Sequence, residues 1–211
     1  MLKQTSNACQ PEIKTEKLIL ASASTRRKRL LKQIGLIFDI ITPNINETLR
    51  PDSLPSEIVT ELARMKAEAV AETINEPAVI IAADTVVSLD DSVMGKPADE
   101  NDAVRILTKL SGKKHVVYTG VEIIAPRGRR SFVKSSDVYM RNFTDSEARA
   151  YISTGEPFDK AGAYGIQGVG ALFVEKINGD FFNVMGLPIA DVFAALKSVG
   201  AVNAANCKSM L

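Results

Sequence analysis

The sequence predicts an α/β fold with a mixed β-sheet, and three observations predict it. Apolar runs of strand length alternate with stretches of helical periodicity along the chain. One run, AVIIAADTVVSL from Ala78 to Leu89, is almost unbroken, as in a strand covered on both faces. Helix start and stop signals, a serine, threonine or aspartate before and a glycine after, punctuate the stretches between.

Taken in order, Leu18 to Ala21 reads as a short strand. Ser24 or Thr25 can cap a helix that buries Leu30, Leu31 and Ile34 and stops at Gly35. A strand near Phe38 to Thr42 leads into the loop PNINET. The next helix is predicted over Ser56 to Ile74, where Ile58, Leu62, Met65, Ala69 and Thr73 recur at helical spacing and Lys66 borders the stripe. After the buried strand, Asp90 and Asp91 supply a turn, and a helix capped near Asp99 runs to Gly112. Val116 to Ile124 and Phe132 to Met140 read as strands around a polar PRGRR connection. Thr144 with Glu147 forms a capping box for a short helix ending before Gly155. ALFVEKINGDFFNVMG predicts a hairpin of two strands around Asn178-Gly179, the pair that suits a type I′ turn. A last helix begins near Pro188.

The 211 residues suffice for one continuous core, predicted as a single domain over 17–200 between a polar extension (1–16) and a tail (201–211). With 26 basic against 25 acidic residues, the charge argues against a broad electrostatic footprint for a nucleic-acid polymer, so anion binding should be local and the partner small. No apolar run offers a membrane span. Cys9 and Cys207 lie in polar terminal segments, which argues against a disulfide framework or metal knuckle and suits a reducing, cytoplasmic setting. The first residues lack the apolar centre of a signal peptide and carry Glu12 and Glu16. Ser209-Met210-Leu211 loosely resembles a peroxisomal address, although an untidy tail is the plainer account. His115 is the only histidine, and no Gly-x-Ser-x-Gly elbow accompanies it, so a serine or cysteine triad and a histidine zinc site are set aside.

Two anomalies point to chemistry. Arg26, Arg27, Lys28 and Arg29 follow a serine pair at a predicted helix start, where the macrodipole disfavours cations. A phosphate chain would compensate, through first-turn amides, the Ser22 and Ser24 hydroxyls and the forks of Arg26 and Arg27. For Lys28 and Arg29 a solvated charged face is the simpler account. The second anomaly is Asp84, a carboxylate inside an apolar strand, which is costly unless paired, hydrogen-bonded or bound to a metal. Asp84 and Thr85 could open into a crevice at the sheet, with Glu47 of PNINET as a second oxygen ligand, or Asp84 could simply cap a loop or pair with a lysine. Taken alone, Lys66 is a lysine laying its stem on the core and Lys96 in MGKP a turn residue. The glycine-rich DKAGAYGIQGVGA lets backbone approach a planar ligand, and Gln167 offers a donor and an acceptor to a base edge. It is neither a Walker A loop nor a dinucleotide fingerprint.

Together, LILASASTRRKRLL, NINET, ARMKAEAVA, IIAADTVV, MGKP, LSGKKHVVYTGV and DKAGAYGIQGVGALFVEKINGDFFNVMGLP resemble the Maf family of nucleoside triphosphate pyrophosphatases, in order, over roughly residues 18–197. The resemblance implies an elongated mixed sheet with flanking helices and two lobes around a deep nucleotide-binding cleft, the Maf/ITPase-like architecture. It implies hydrolysis between the α and β phosphorus atoms with a divalent metal, Mg²⁺ or Mn²⁺. In that light Asp84 matches the general base, Glu47 the acidic residue that helps hold the metal with Asp84, and Lys66 and Lys96 the phosphate-facing lysines. Arg26 and Arg27, with Ser22 and Ser24, match the phosphate clamp. Gln167, with Thr85 and Arg26, matches the branch acting on dTTP and UTP, and a homodimer fits the family. Thr25 departs from the pattern, which usually has proline there. Two other classes compete: a non-catalytic nucleotide-binding regulator of cell division, and a binder of RNA or DNA through the basic cluster, which the near-neutral charge disfavours.

Overall fold

Three long strands lie side by side in the sheet and the rest of the chain packs around them. The computed structural model describes residues 16–46 and 53–202. In chain order these form β1 (Lys17–Ala21), α1 (Thr25–Gln33), β2 (Asp39–Ile40), α2 (Pro55–Ala71), β3 (Ala78–Leu89), β4 (Ser92–Met94), α3 (Glu100–Leu110), β5 (Lys114–Ala125) and β6 (Gly128–Met140). There follow α4 (Asp145–Ile152), three 3-10 turns between Glu156 and Phe173, β7 (Val174–Asn178), α5 (Phe181–Val184) and α6 (Ile189–Ser198). The sheet order is β2-β1-β3-β5-β6-β7, with β4 folded back on β3. β1 runs parallel to β2 and β3, and the other pairings are antiparallel, so the sheet is mixed as the sequence predicts.

The residues of β3 explain the division into lobes. Side chains alternate across a strand. Ile80 and Ala82 pack with Ala67 and Val70, and Val86 with Ile58, Val59 and Leu62, so one face belongs to α2. On the other face Ile81 and Ala83 join a cluster with Leu30 and Leu31 of α1 and Val192 and Leu196 of α6. Val87 and Leu89 on that same face join a second cluster with Leu107 of α3 and Ile152 of α4. Thr85 stands between the two. In β5, Val121 and Ile123 belong to the first cluster and Val117 to the second, and the residue between them is again a threonine, Thr119, cross-strand partner of Thr85. A polar break repeated on neighbouring strands thus separates two apolar cores. Each large apolar side chain fully buried there contributes roughly 1.5–3 kcal/mol.

Most start and stop signals act as predicted. Ser24 caps α1 by accepting from the Arg27 amide, Asp99 caps α3, and Thr144 with Glu147 closes the box at α4. Thr25 occupies the first helical position, where proline fits because that N–H has no partner within the helix, so the departure leaves the start in register. Asp90 and Asp91 adopt positive φ, 50° and 60°, and turn β3 into β4, a short strand that the sequence did not reveal.

Two expectations change. The buried face of α2 runs through Val59, Ala63, Ala67 and Val70 rather than Met65, Ala69 and Thr73, and the helix ends at Ala71. Its small residues face the sheet, where Gly120 of β5 admits the helix backbone: a Cβ there would lie 2.3 Å from the Val59 carbonyl oxygen. The predicted hairpin around Asn178-Gly179 is not formed. Asp180 instead caps α5, accepting from the Phe182 amide at 2.7 Å. Asn183 is then drawn inward, donating to Val117 O and Ser136 Oγ, each at 3.0 Å. Glu47, both cysteines and Ser209-Met210-Leu211 lie outside the described residues. Among those described, no helix is long and apolar enough to cross a membrane.

Candidate active site

The polar break between the two cores opens into a cleft of about 900 Å³. Ser22, Ser24, Arg26, Arg27, Lys66, Asp84, Thr85, Lys96 and Gln167 all line it, contributed by segments spread from β1 to the glycine-rich stretch.

Asp84 is placed by register. It pairs with Gly120 across the β3–β5 ladder, and its side chain shares the face covered by α2. One turn beyond Ala63, Lys66 reaches down the helix to Asp84, with Nζ 2.5 Å from Oδ1. Both side chains are 13% exposed, so the pair is largely withdrawn from water and each charge offsets the desolvation of the other. No protein group bonds Oδ2 among the described residues. Lys96, exposed on the loop after β4, lines the same space, and among the described residues it has no hydrogen-bond or ion-pair partner.

The adjacent arginines behave differently. Arg27 is 9% exposed, and its guanidinium is held from three sides. It donates to the Gly186 carbonyl (2.8 Å), the Ala83 carbonyl (2.8 Å), Ser22 Oγ (3.4 Å) and Thr85 Oγ1 (3.0 Å). Thr85 meets Thr119 at 3.0 Å, and Thr119 donates to the Asn183 carbonyl, which ties the threonine pair to the turn before Gly186. Arg26 reaches across the cleft instead, donating to Asp159 Oδ2 at 2.7 Å. Lys160 donates to the other oxygen of Asp159 at 2.6 Å. Partial burial pushes the Asp159 carboxyl pKa upward, but the Lys160 and Arg26 hydrogen bonds outweigh it and hold the carboxyl below its ordinary range. Lys28 and Arg29 are both exposed, and Arg29 also lines the cleft.

Gln167 sits exposed at the tip of the glycine-rich stretch. Behind it, Tyr164 is buried against His115, whose Nε2 lies 2.8 Å from the Tyr164 hydroxyl. Burial pushes the His115 pKa down to about 4 and that of Tyr164 far up. This histidine belongs to the core of the second lobe, consistent with setting aside histidine chemistry.

Sequence reasoning missed Glu156, Asp159 and Lys160 on this wall. A signal existed: Asp159 and Lys160 open the very stretch whose glycines drew attention, and an acid beside a base at the edge of a glycine-rich loop invites a partner.

A carboxylate with a lysine bonded to one of its oxygens, in a cleft lined by further arginines and lysines, can bind a polyanion and orient water toward it. Among the described residues no group of three or more His, Cys, Asp or Glu gathers into a metal cage. Asp84 is nonetheless an oxygen donor of the kind Mg²⁺ takes, since that ion is held by one or two carboxylates plus phosphate oxygens and water.

A family model described as Maf-like protein matches residues 17–199. The dTTP/UTP pyrophosphatase of Carboxydothermus hydrogenoformans is 50% identical over 186 residues, 87% of this chain and 99% of that protein. That of Caldicellulosiruptor saccharolyticus is 46% identical over 190 residues, 88% of this chain and 96% of that protein. Among solved structures, a HAM1 protein from Coxiella burnetii aligns over 87% of this chain and 99% of that chain, at 14% identity and a TM-score of 0.47.

Proposed function

This chain belongs to the Maf-like protein family, and we infer that it is a nucleoside triphosphate pyrophosphatase that hydrolyses dTTP and UTP to the monophosphate and pyrophosphate. The observation that carries the mechanism is the Asp84–Lys66 pair at the cleft floor.

Lys66 fixes the carboxylate through Oδ1, and Oδ2 accepts the proton of the water that attacks the α-phosphorus. Lys96 and Arg26 spread the charge that develops on the leaving pyrophosphate. Arg27 sets the shape of the anion site by locking the β1–α1 turn, β3 and the Gly186 turn together, and Ser22 and Ser24 line it. A divalent cation held by Asp84 and Glu47 would add Lewis-acid charge at the phosphate oxygens. Gln167, with Thr85 and Arg26 nearby, selects the base: an amide pairs with the O4 and N3–H edge that thymine and uracil share. The reading extends to a cytoplasmic homodimer, which light scattering on purified protein would check.

The test is pyrophosphate release from a panel of nucleoside triphosphates with Mg²⁺ or Mn²⁺, wild type beside Asp84→Asn. Metal-dependent release from dTTP and UTP that collapses in the variant supports the reaction and the base. Nucleotide binding without turnover in the wild type would replace it with the non-catalytic regulator.

A further inference from the structure

The segment that presents Gln167 has no sheet partner, so its backbone amides need other acceptors. One side chain serves two of them directly and a third through a tyrosine. Glu156 Oε2 accepts from the Val169 amide at 2.9 Å, and Oε1 accepts from the Gly170 amide at 3.4 Å. Oε1 also accepts from the Tyr151 hydroxyl at 3.0 Å, and that oxygen in turn accepts from the Gly165 amide at 3.1 Å. The two sides of the turn that carries Gln167 are therefore clasped by a single carboxylate and the tyrosine it holds. Burial, then the bond to Glu156, raises the Tyr151 pKa, so the hydroxyl keeps its proton and its donor role.

The glycines fit this account. A Cβ at Gly168 would lie 2.2 Å from Glu156 Oε2, and one at Gly165 would lie 2.8 Å from Oε1. Gly168 has a negative φ of −109°, so the left-handed backbone that favours glycine is not the reason for it, whereas the carboxylate occupies the place a side chain would take. Gln167 itself makes no hydrogen bond to the described protein, and its aim into the cleft depends wholly on the backbone beneath it.

We propose that Glu156 is the positioning residue for base selection: it holds the 165–170 backbone so that the Gln167 amide meets the pyrimidine edge. This rests on the reading of Gln167 given above. Glu156 touches no substrate, and its effect should appear in discrimination between bases and in KM more than in kcat.

The experiment measures kcat/KM for UTP and GTP, and the affinity for UMP, in wild type, Gln167→Ala, Glu156→Ala and the double variant. Glu156→Ala should lower the UTP to GTP ratio about fivefold, as expected for losing one well-aimed hydrogen bond, mainly through KM. In the Gln167→Ala background it should lower that ratio no further, because the group it aims is gone. Glu156→Gln, which keeps one acceptor oxygen, should fall between. Should Glu156→Ala fold poorly, Gly168→Ala displaces the carboxylate with the residue in place and should reproduce the same loss. An unchanged ratio in Glu156→Ala beside a lowered one in Gln167→Ala overturns the proposal alone, as do losses that multiply in the double variant. An unchanged ratio in Gln167→Ala overturns the base-reading assignment, and the proposal with it.

Discussion

On the sheet side of the cleft the Arg27 side chain donates to the main chain; on the loop side the turn that carries Gln167 donates main-chain amides to side chains. Arg27 is fixed by the carbonyls of Ala83 and Gly186, whereas Gly165, Val169 and Gly170 are fixed by Tyr151 and Glu156. Strand amides are already paired in the ladder, so what the strands and their adjoining turns have to spare is carbonyl lone pairs, and a guanidinium is the side chain that uses several at once. The 3-10 turns leave amides over, and a carboxylate uses several of those. The sheet side is thereby tied to β3 and β5, while the turn that carries Gln167 is tied to the side chains of Glu156 and Tyr151. On the reading proposed above, the Asp84–Lys66 pair stands on the first wall and Gln167 on the second.

The largest effect that would sharpen this contrast is on the sheet side. Asp84→Asn should lower kcat for dTTP and UTP by about 10²–10⁴-fold, the range for removing a general base, with nucleotide still bound. Equal loss of binding and turnover, read by calorimetry beside the rate assay, would instead make Asp84 a binding group.

Next comes Arg27→Met, expected to cost about 3 kcal/mol in urea unfolding, because it strands the buried Ala83 and Gly186 carbonyls. A cost under about 1 kcal/mol would mean that the sheet side does not depend on its guanidinium and the contrast is weaker than drawn.

Acid should loosen the second lobe before the first. His115 is neutral in the fold, with its pKa depressed from 6.5 to about 4 by burial. Its folded pKa lies below the unfolded one, so the contribution is fully present above about pH 6.5 and is lost as pH falls toward 4, on the order of 3 kcal/mol. His115→Gln should flatten the melting temperature over that window, and an unchanged slope would assign the acid sensitivity elsewhere.

The smallest effect concerns the bridge between the walls. Asp159 is 63% exposed at its side chain, so its pair with Arg26 is worth at most about 1 kcal/mol. Asp159→Asn should release Arg26 toward the triphosphate and lower KM about twofold, with steeper salt dependence. An unchanged KM would show that the carboxylate and the phosphates do not compete for Arg26.

The sequence carried this contrast unevenly. Strand β3, the caps of α1, α3 and α4, and the suspicion attached to Asp84 were legible because each is local: an apolar run, a hydroxyl three residues before an amide, a charge out of place. That Lys66 meets Asp84 depends on helix-to-sheet packing that no spacing records. Arg27 reads from the sequence as a phosphate clamp at the helix start, and the burial of its guanidinium against the Ala83 and Gly186 carbonyls was not legible because helix position gives direction but not depth. The failed hairpin has a similar cause: Asn178-Gly179 is a sound turn signal locally, yet burial of Asn183 and the Asp180 cap outweigh it. The loop wall was least legible, since the meaning of Glu156 resides in amides whose identity the side-chain sequence does not show.

Gly120 has a mechanical side as well. It lies opposite Asp84 in the ladder and directly beneath Val59, so it acts as the fulcrum on which α2 rests. Lys66 sits further along the same rod, about 10 Å of helical rise from that point. A methyl group slipped under the fulcrum would tilt the rod, and the far end would swing its ammonium off the carboxylate. The gap between the two charges at the cleft floor is therefore calibrated by an absent carbon atom on a strand that neither charge belongs to.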